Sequence, residues 1–252
     1  MRKIRKPLLF TLALLPAIIA AAYLATLMTL PAAGSAAMEE AVKQLGSREA
    51  VIAVSTAQSA LYAALFAFFG YILSKKLGLM RSFKPEKSKL LTTVIISLLG
   101  GAVFSLDAWT FAKLMPKVAE SYGTAKTFDA VTWGASVLYG GVIEELMMRL
   151  FFMTLIAFIA WKLFFRKEEA VPVKVLIAAN IIAALAFAAG HLPSTITLFG
   201  TLTPMIVFRC FLLNGAFGLI FGRLYRKFGI QYAMLSHALL HIVSKTIWLI
   251  LL

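Results

Sequence analysis

The imidazole complement of this 252-residue chain is His191, His237 and His241, and each falls inside a stretch apolar enough to be buried in a membrane. A further apolar stretch carries Glu144 and Glu145, with Arg149 four residues after the second acid. An ionisable side chain in a bilayer costs about 2.5–3.5 kcal/mol on insertion scales, so such residues mark function by default. Two carboxylates, a guanidinium and three imidazoles in hydrophobic segments suit a catalytic or ion-handling centre inside the membrane. Peptide hydrolysis, for one, needs a base, an activated water and donors to a developing oxyanion.

Spacing divides these residues into roles. Residues four apart share a helix face, so Glu145 and Arg149 can pair within one helix and lower the cost of burying both. Glu144 points about 100° away on an α-helix and is left free for proton chemistry. Glu145 is thus structural and Glu144 chemical, against the plainer reading of one buried packing network. His237 and His241 also share a face, with Lys245 continuing the stripe. Two imidazoles at that spacing suit a divalent metal such as zinc, as on an HExxH helix, but Ala238 stands where that motif has its glutamate. The candidate metal ligands are Glu144, His191, His237 and His241. Lys245 snorkels toward the external face, Asp107 faces the external interface, and Asn180, Asn214 and Arg209 join helices by hydrogen bonds, with Arg209 alternatively a partner for a substrate carboxylate.

The elements that must position these groups are membrane helices. The chain is 61% hydrophobic and 14% charged, with mean hydropathy +0.89, which excludes a soluble domain of this length. Long unbroken apolar runs exclude a β-barrel's short alternating segments. The prediction is a single all-α domain, a polytopic transmembrane bundle with spans over residues 8–30, 51–73, 90–112, 130–161, 173–199, 204–221 and 230–252, each near the ~20 residues a bilayer needs. The fourth is overlong and should tilt, kink near Gly140-Gly141 or start with an interfacial turn; splitting it gives eight spans. Pro193 should break the fifth, leaving a loop or re-entrant piece after His191. The basic start and the small residues at 33–37 mimic a signal peptide, but the first apolar run exceeds the ~7–15 residues of such a segment, so an uncleaved first helix is expected.

The net charge of +14 reflects topology rather than nucleic acid: Lys and Arg gather in alternate loops, with no basic stripe interleaved with aromatics. The positive-inside rule gives a cytoplasmic N-terminus and, with seven spans, an external C-terminus. Counted from the basic loops, Glu144 and His191 each lie about 25 Å along their helices, but His237 and His241 only about 10–16 Å, a mismatch that tilt or an unwound start must close. The single cysteine, Cys210, excludes an internal disulfide and a cysteine-based metal site. Short loops without a soluble extension suit the plasma membrane of a prokaryote, with membrane lipids as the surroundings.

Glu144-Glu145-x-x-x-Arg149, Phe187-x-x-x-His191 and His237-Ala238-x-x-His241 resemble, in order and internal spacing, the EExxxR, FxxxH and HxxxN/D motifs of the CPBP intramembrane proteases. That family includes type II CAAX prenyl endopeptidases and Abi-type proteins of bacteriocin processing and immunity. The resemblance covers residues 130–252; the first three helices match only as generic spans. It implies Glu144 as general base on a water also held by His191, Glu145 and Arg149 as braces, and His237 as a water or oxyanion ligand. His241 stands where the family has Asn or Asp, a position assigned to the oxyanion hole; a third histidine also strengthens a metal reading. The implied substrate is a lipidated or membrane-associated peptide or protein. Rival readings are a transporter or channel moving protons or metal through the Glu/His cluster, and a non-catalytic immunity protein that binds a partner in the same pocket. Internal inverted repeats, common in transporters, are absent from the sequence.

Overall fold

The computed structural model describes all residues except 1, 31–34 and 124–126. Part of the signal-like stretch at 33–37 therefore lies outside the described residues. The described residues form helices and connecting turns with no strand: α1 Arg2–Thr29, α2 Ser35–Leu45, α3 Arg48–Lys76, α4 Lys87–Ser105, α5 Phe111–Leu114, α6 Pro116–Ser121, α7 Ala130–Leu138, α8 Thr154–Phe164, α9 Val173–Gly190, α10 Leu192–Phe199, α11 Pro204–Cys210, α12 Ala216–Phe228 and α13 Ile230–Leu251. Six helical stretches are long and apolar enough to cross a membrane: Ile4–Thr29, Arg48–Lys76, Lys87–Leu114, Val173–Phe199, Pro204–Phe228 and Ile230–Leu251. A further helix, not among those six, runs unbroken from α7 to α8 through two π-helical segments, Tyr139–Glu144 and Leu146–Met153, and carries both glutamates and Arg149.

The overlong fourth region is therefore one helix, widened rather than cut. Asp129 starts it, its carboxylate accepting from the amides of Val131 (3.2 Å) and Thr132 (3.0 Å); the side-chain hydrogen bond from Thr132, together with those amide bonds, holds its carboxyl below the usual carboxylate range. The π register is marked by Thr154, whose hydroxyl donates to the carbonyl of Arg149, five residues back, at 3.0 Å.

Lipid tails are as apolar as the helices, so association relies on close packing and hydrogen bonds between helices. A Cβ on Gly101 of α4 would lie 2.6 Å from Val243 of α13, and the same pair of helices shares a Ser97–Ser236 hydroxyl bond of 3.0 Å. Tyr225 of α12 links the long helix to α3, 2.8 Å from the hydroxyl of Thr154 and donating to that of Ser74 at 2.9 Å. Large apolar side chains such as Leu61, Leu99 and Leu185 are left outward, as a lipid-facing surface requires.

The Tyr225 link also narrows the depth mismatch between Glu144 and His237. Thr154 stands ten residues before the end of α8, Tyr225 three before the end of α12, and Ser74 two before the end of α3. The long helix thus runs on past α12 and α3 by about seven residues, roughly 10 Å.

Several local expectations are corrected. The chain after His191 does not become a loop: α9 ends at Gly190 and α10 restarts with Pro193 in its first turn. Asp107 is buried rather than facing the interface. It accepts from Arg209 Nε at 2.8 and 3.0 Å, and also from Arg209 Nη2 and the Tyr122 hydroxyl. Arg209 is thus committed to an internal carboxylate. Burial and the neighbouring Asp107 push the Tyr122 phenol upward. Asn180 does join helices, donating to the Leu219 carbonyl at 3.0 Å, whereas Asn214 bonds within its own helix to Cys210.

Candidate active site

The π-helical turn ending at Glu144, the last turn of α9 and the second turn of α13 meet in the bundle. His191 Nε2 lies 3.8 Å from Glu144 Oε1, and His237 Nε2 lies 3.7 Å from Glu144 Oε2. One carboxylate from one helix thus spans two imidazoles from two others. These separations exceed a direct hydrogen bond but are within reach of a shared water.

The opposite edges of the rings are fixed. His191 Nδ1 sits 2.8 Å from the Phe187 carbonyl, an obligate acceptor, so Nδ1 carries the proton and neutral His191 turns a bare Nε2 toward Glu144. His237 Nδ1 sits 2.9 Å from Glu145 Oε1; with that carboxylate ionised, the same tautomer follows. Glu145 in turn faces Arg149 Nη1 at 3.3 Å, both side chains being buried. The predicted intrahelical pair is present, and it does more than neutralise itself, since Glu145 orients His237.

Aromatic rings complete the frame. His237 is sandwiched between Phe221 of α12 (centroids 4.3 Å apart, planes 20°) and His241 (5.1 Å, 26°). Phe187 packs edge-on against His191 at 4.6 Å. The Arg149 guanidinium lies over Phe187 at 4.5 Å and Phe221 at 5.5 Å, the geometry of a cation–π contact. Phe221 was not legible as a site residue, because nothing in its neighbourhood distinguishes it among twenty phenylalanines.

His241 lines the same cavity as Glu144 but, unlike His191 and His237, does not come within 4 Å of its carboxylate. It backs the His237 ring, with Phe104 edge-on at 6.3 Å. The four candidate metal ligands do not form a cage as they stand: among the described residues no group of three His, Cys, Asp or Glu side chains is gathered closely enough to hold an ion.

Two cavities meet at Glu144 and His191. The smaller, about 170 Å³, extends toward His237, His241 and Asn214. The larger, about 520 Å³, is walled by Thr26 and Thr29 of α1 and Ser55 and Ser59 of α3, opposite Phe187 and Ser194. A carboxylate within a water's reach of two imidazoles, with room on both sides, is an arrangement that could present the carbonyl of an extended chain to an activated water.

Residues 126–243 match the family model described as type II CAAX prenyl endopeptidase, Rce1-like. The match takes in all three motifs and leaves α1–α4 outside it. No curated protein and no solved structure matches the chain.

Proposed function

With residues 126–243 assigned to the CPBP family of CAAX-type intramembrane proteases, we propose that this protein is an integral membrane endopeptidase. It hydrolyses a peptide bond in a lipidated or membrane-associated peptide or protein by glutamate-activated water. The observation that carries the reading is Glu144 facing the Nε2 atoms of His191 and His237 at 3.8 and 3.7 Å.

The chemistry follows from the tautomers. Both imidazoles offer a lone pair, so a water among them and Glu144 has its O–H bonds directed by acceptors. Glu144 takes one proton as the water oxygen bonds to the scissile carbonyl carbon. Glu144 then delivers that proton to the departing nitrogen as the C–N bond breaks, leaving a carboxylic acid and an amine. An imidazole that has already taken up a proton from solvent through the cavity, separate from the one Glu144 carries, is an Nε2–H donor to the oxyanion and keeps that proton through the cycle. Arg149, Glu145 and Phe221 keep the His237 ring in register. The same donors, Glu144, His191 and His237, are those that would close on zinc; a bound ion would lower the pKa of its water.

Purified protein in liposomes, incubated with farnesylated CAAX-type and unmodified hydrophobic peptides, tests the proposal. Expected are cleavage by the wild type, a loss of at least about 10²-fold in Glu144→Gln and His191→Ala, and rates unchanged by EDTA. Equal cleavage by both variants would end the reading. Loss to EDTA restored by zinc would replace the metal-free mechanism with a metal-assisted one.

A further inference from the structure

We infer that Gly140 is a positioning residue of this site, and that its missing side chain is matched to the histidine at position 241. A Cβ at Gly140 would lie 3.0 Å from His237 Nε2, 3.1 Å from His241 Nε2 and 3.2 Å from His241 Cδ2. Gly140 and Glu144 fall in the same π-helical segment, and the His237 nitrogen that a Cβ would press is the one that faces Glu144 at 3.7 Å. The empty step and the carboxylate thus address one atom.

A methyl group could be accommodated only if a neighbour yields. His237 has little freedom: Glu145 holds Nδ1 at 2.9 Å and Phe221 covers one face at 4.3 Å. His241 covers the other face, so moving His241 presses on His237. The displacement must therefore appear between His237 Nε2 and Glu144. His241 is bulkier than the Asn or Asp of the resembling motif, and Gly140 supplies the space for the ring. Neighbouring Gly141 differs in kind: a Cβ there meets Ala238 Cβ at 2.9 Å and the Met234 carbonyl at 3.2 Å, which is spacing between helices rather than ring placement.

The inference rests on the proposed protease reading only for its kinetic consequence, and its structural content can be measured without activity. Three histidines give a histidine-labelled sample in detergent micelles three ring signals, assignable from single variants. Gly140→Ala is expected to move the His237 and His241 signals and leave His191 in place. Gly140→Ala/His241→Asn removes two of the three close contacts and should return His237 toward its wild-type position. Gly141→Ala should leave all three rings alone and lower thermal stability instead. Unmoved His237 in Gly140→Ala, or equal movement of all three rings, would overturn the inference. Alanine is the better helix former; if Gly140→Ala nevertheless fails to fold and the double variant fails too, the local account is also wrong. In the cleavage assay Gly140→Ala should lower kcat about 10–100-fold at constant KM, the cost of a small misplacement. Full activity in Gly140→Ala beside a dead Glu144→Gln would sink the inference and spare the protease; no cleavage by the wild type would do the reverse, and the ring signals would still decide.

Discussion

At the scale of single residues, the site divides labour between two adjacent acids. Glu144 faces two imidazoles, and Glu145 anchors one of them while facing Arg149. The Glu145–Arg149 pairing was readable from their i,i+4 spacing. The bond from His237 to Glu145 was not, because 92 residues separate the partners and no local periodicity encodes a crossing between helices. Replacing Glu145 by Ala would leave a buried guanidinium without its carboxylate, a change that costs about 3–5 kcal/mol. Denaturation in detergent should show that loss together with a fall in kcat. Phe221→Leu keeps apolar volume but removes the stacked plane beneath His237. It should lower kcat several-fold to about tenfold with KM and melting temperature nearly unchanged; a KM effect alone would contradict a ring-holding role.

At the scale of elements, the apolar runs located the long helices, though α1 begins six residues before and α12 ends seven residues after the predicted bounds, because burial in lipid imposes a minimum length while polar helix ends extend beyond it. The break at His191 was legible from Pro193, but helix α10 was not, since seven to eight residues without charge look the same as helix or loop. The π-helical widening around Glu145 left no sequence signature beyond Gly140-Gly141, and it is the feature that brings Glu144 and Gly140 to one histidine. Asp129→Ala should destabilise the start of the long helix by about 1 kcal/mol, the usual worth of such a cap. The folded-state pKa of Asp129 is depressed. Its contribution is therefore complete above the ordinary carboxylate pKa of about 4 and is lost as pH falls through the lower folded value; the Asp129→Ala difference should vanish in acid. Far from the chemistry, Arg209→Met strands the buried carboxylate of Asp107 and should cost about 3–5 kcal/mol in melting experiments, without the kcat loss specific to the brace residues.

At the scale of the molecule, the N-terminal helices have a use that composition did not reveal. Residues 126–243 carry the family motifs, yet the wall opposite Glu144 and His191 comes from Thr26, Thr29, Ser55 and Ser59, on helices that read as generic spans. These residues line a cavity, with the Thr26 and Thr29 hydroxyls donating back to the carbonyls of Ala22 and Ala25, a placement that only the three-dimensional packing of α1 and α3 fixes. Ser59→Trp would fill that cavity and should raise KM at least tenfold while Ser59→Ala changes little. Leu61→Trp, on the exposed side of α3, serves as control, and equal effects at 59 and 61 would remove the cavity from the substrate path.

The most direct test of the central claim follows the water itself. Cleavage of a peptide in ¹⁸O-enriched water, read by mass spectrometry, should place one heavy oxygen in the new C-terminal carboxylate with wild-type protein. Under the same conditions Glu144→Gln should yield labelled product at least about 10²-fold more slowly. Labelled product forming at the wild-type rate without the Glu144 carboxylate would contradict the account.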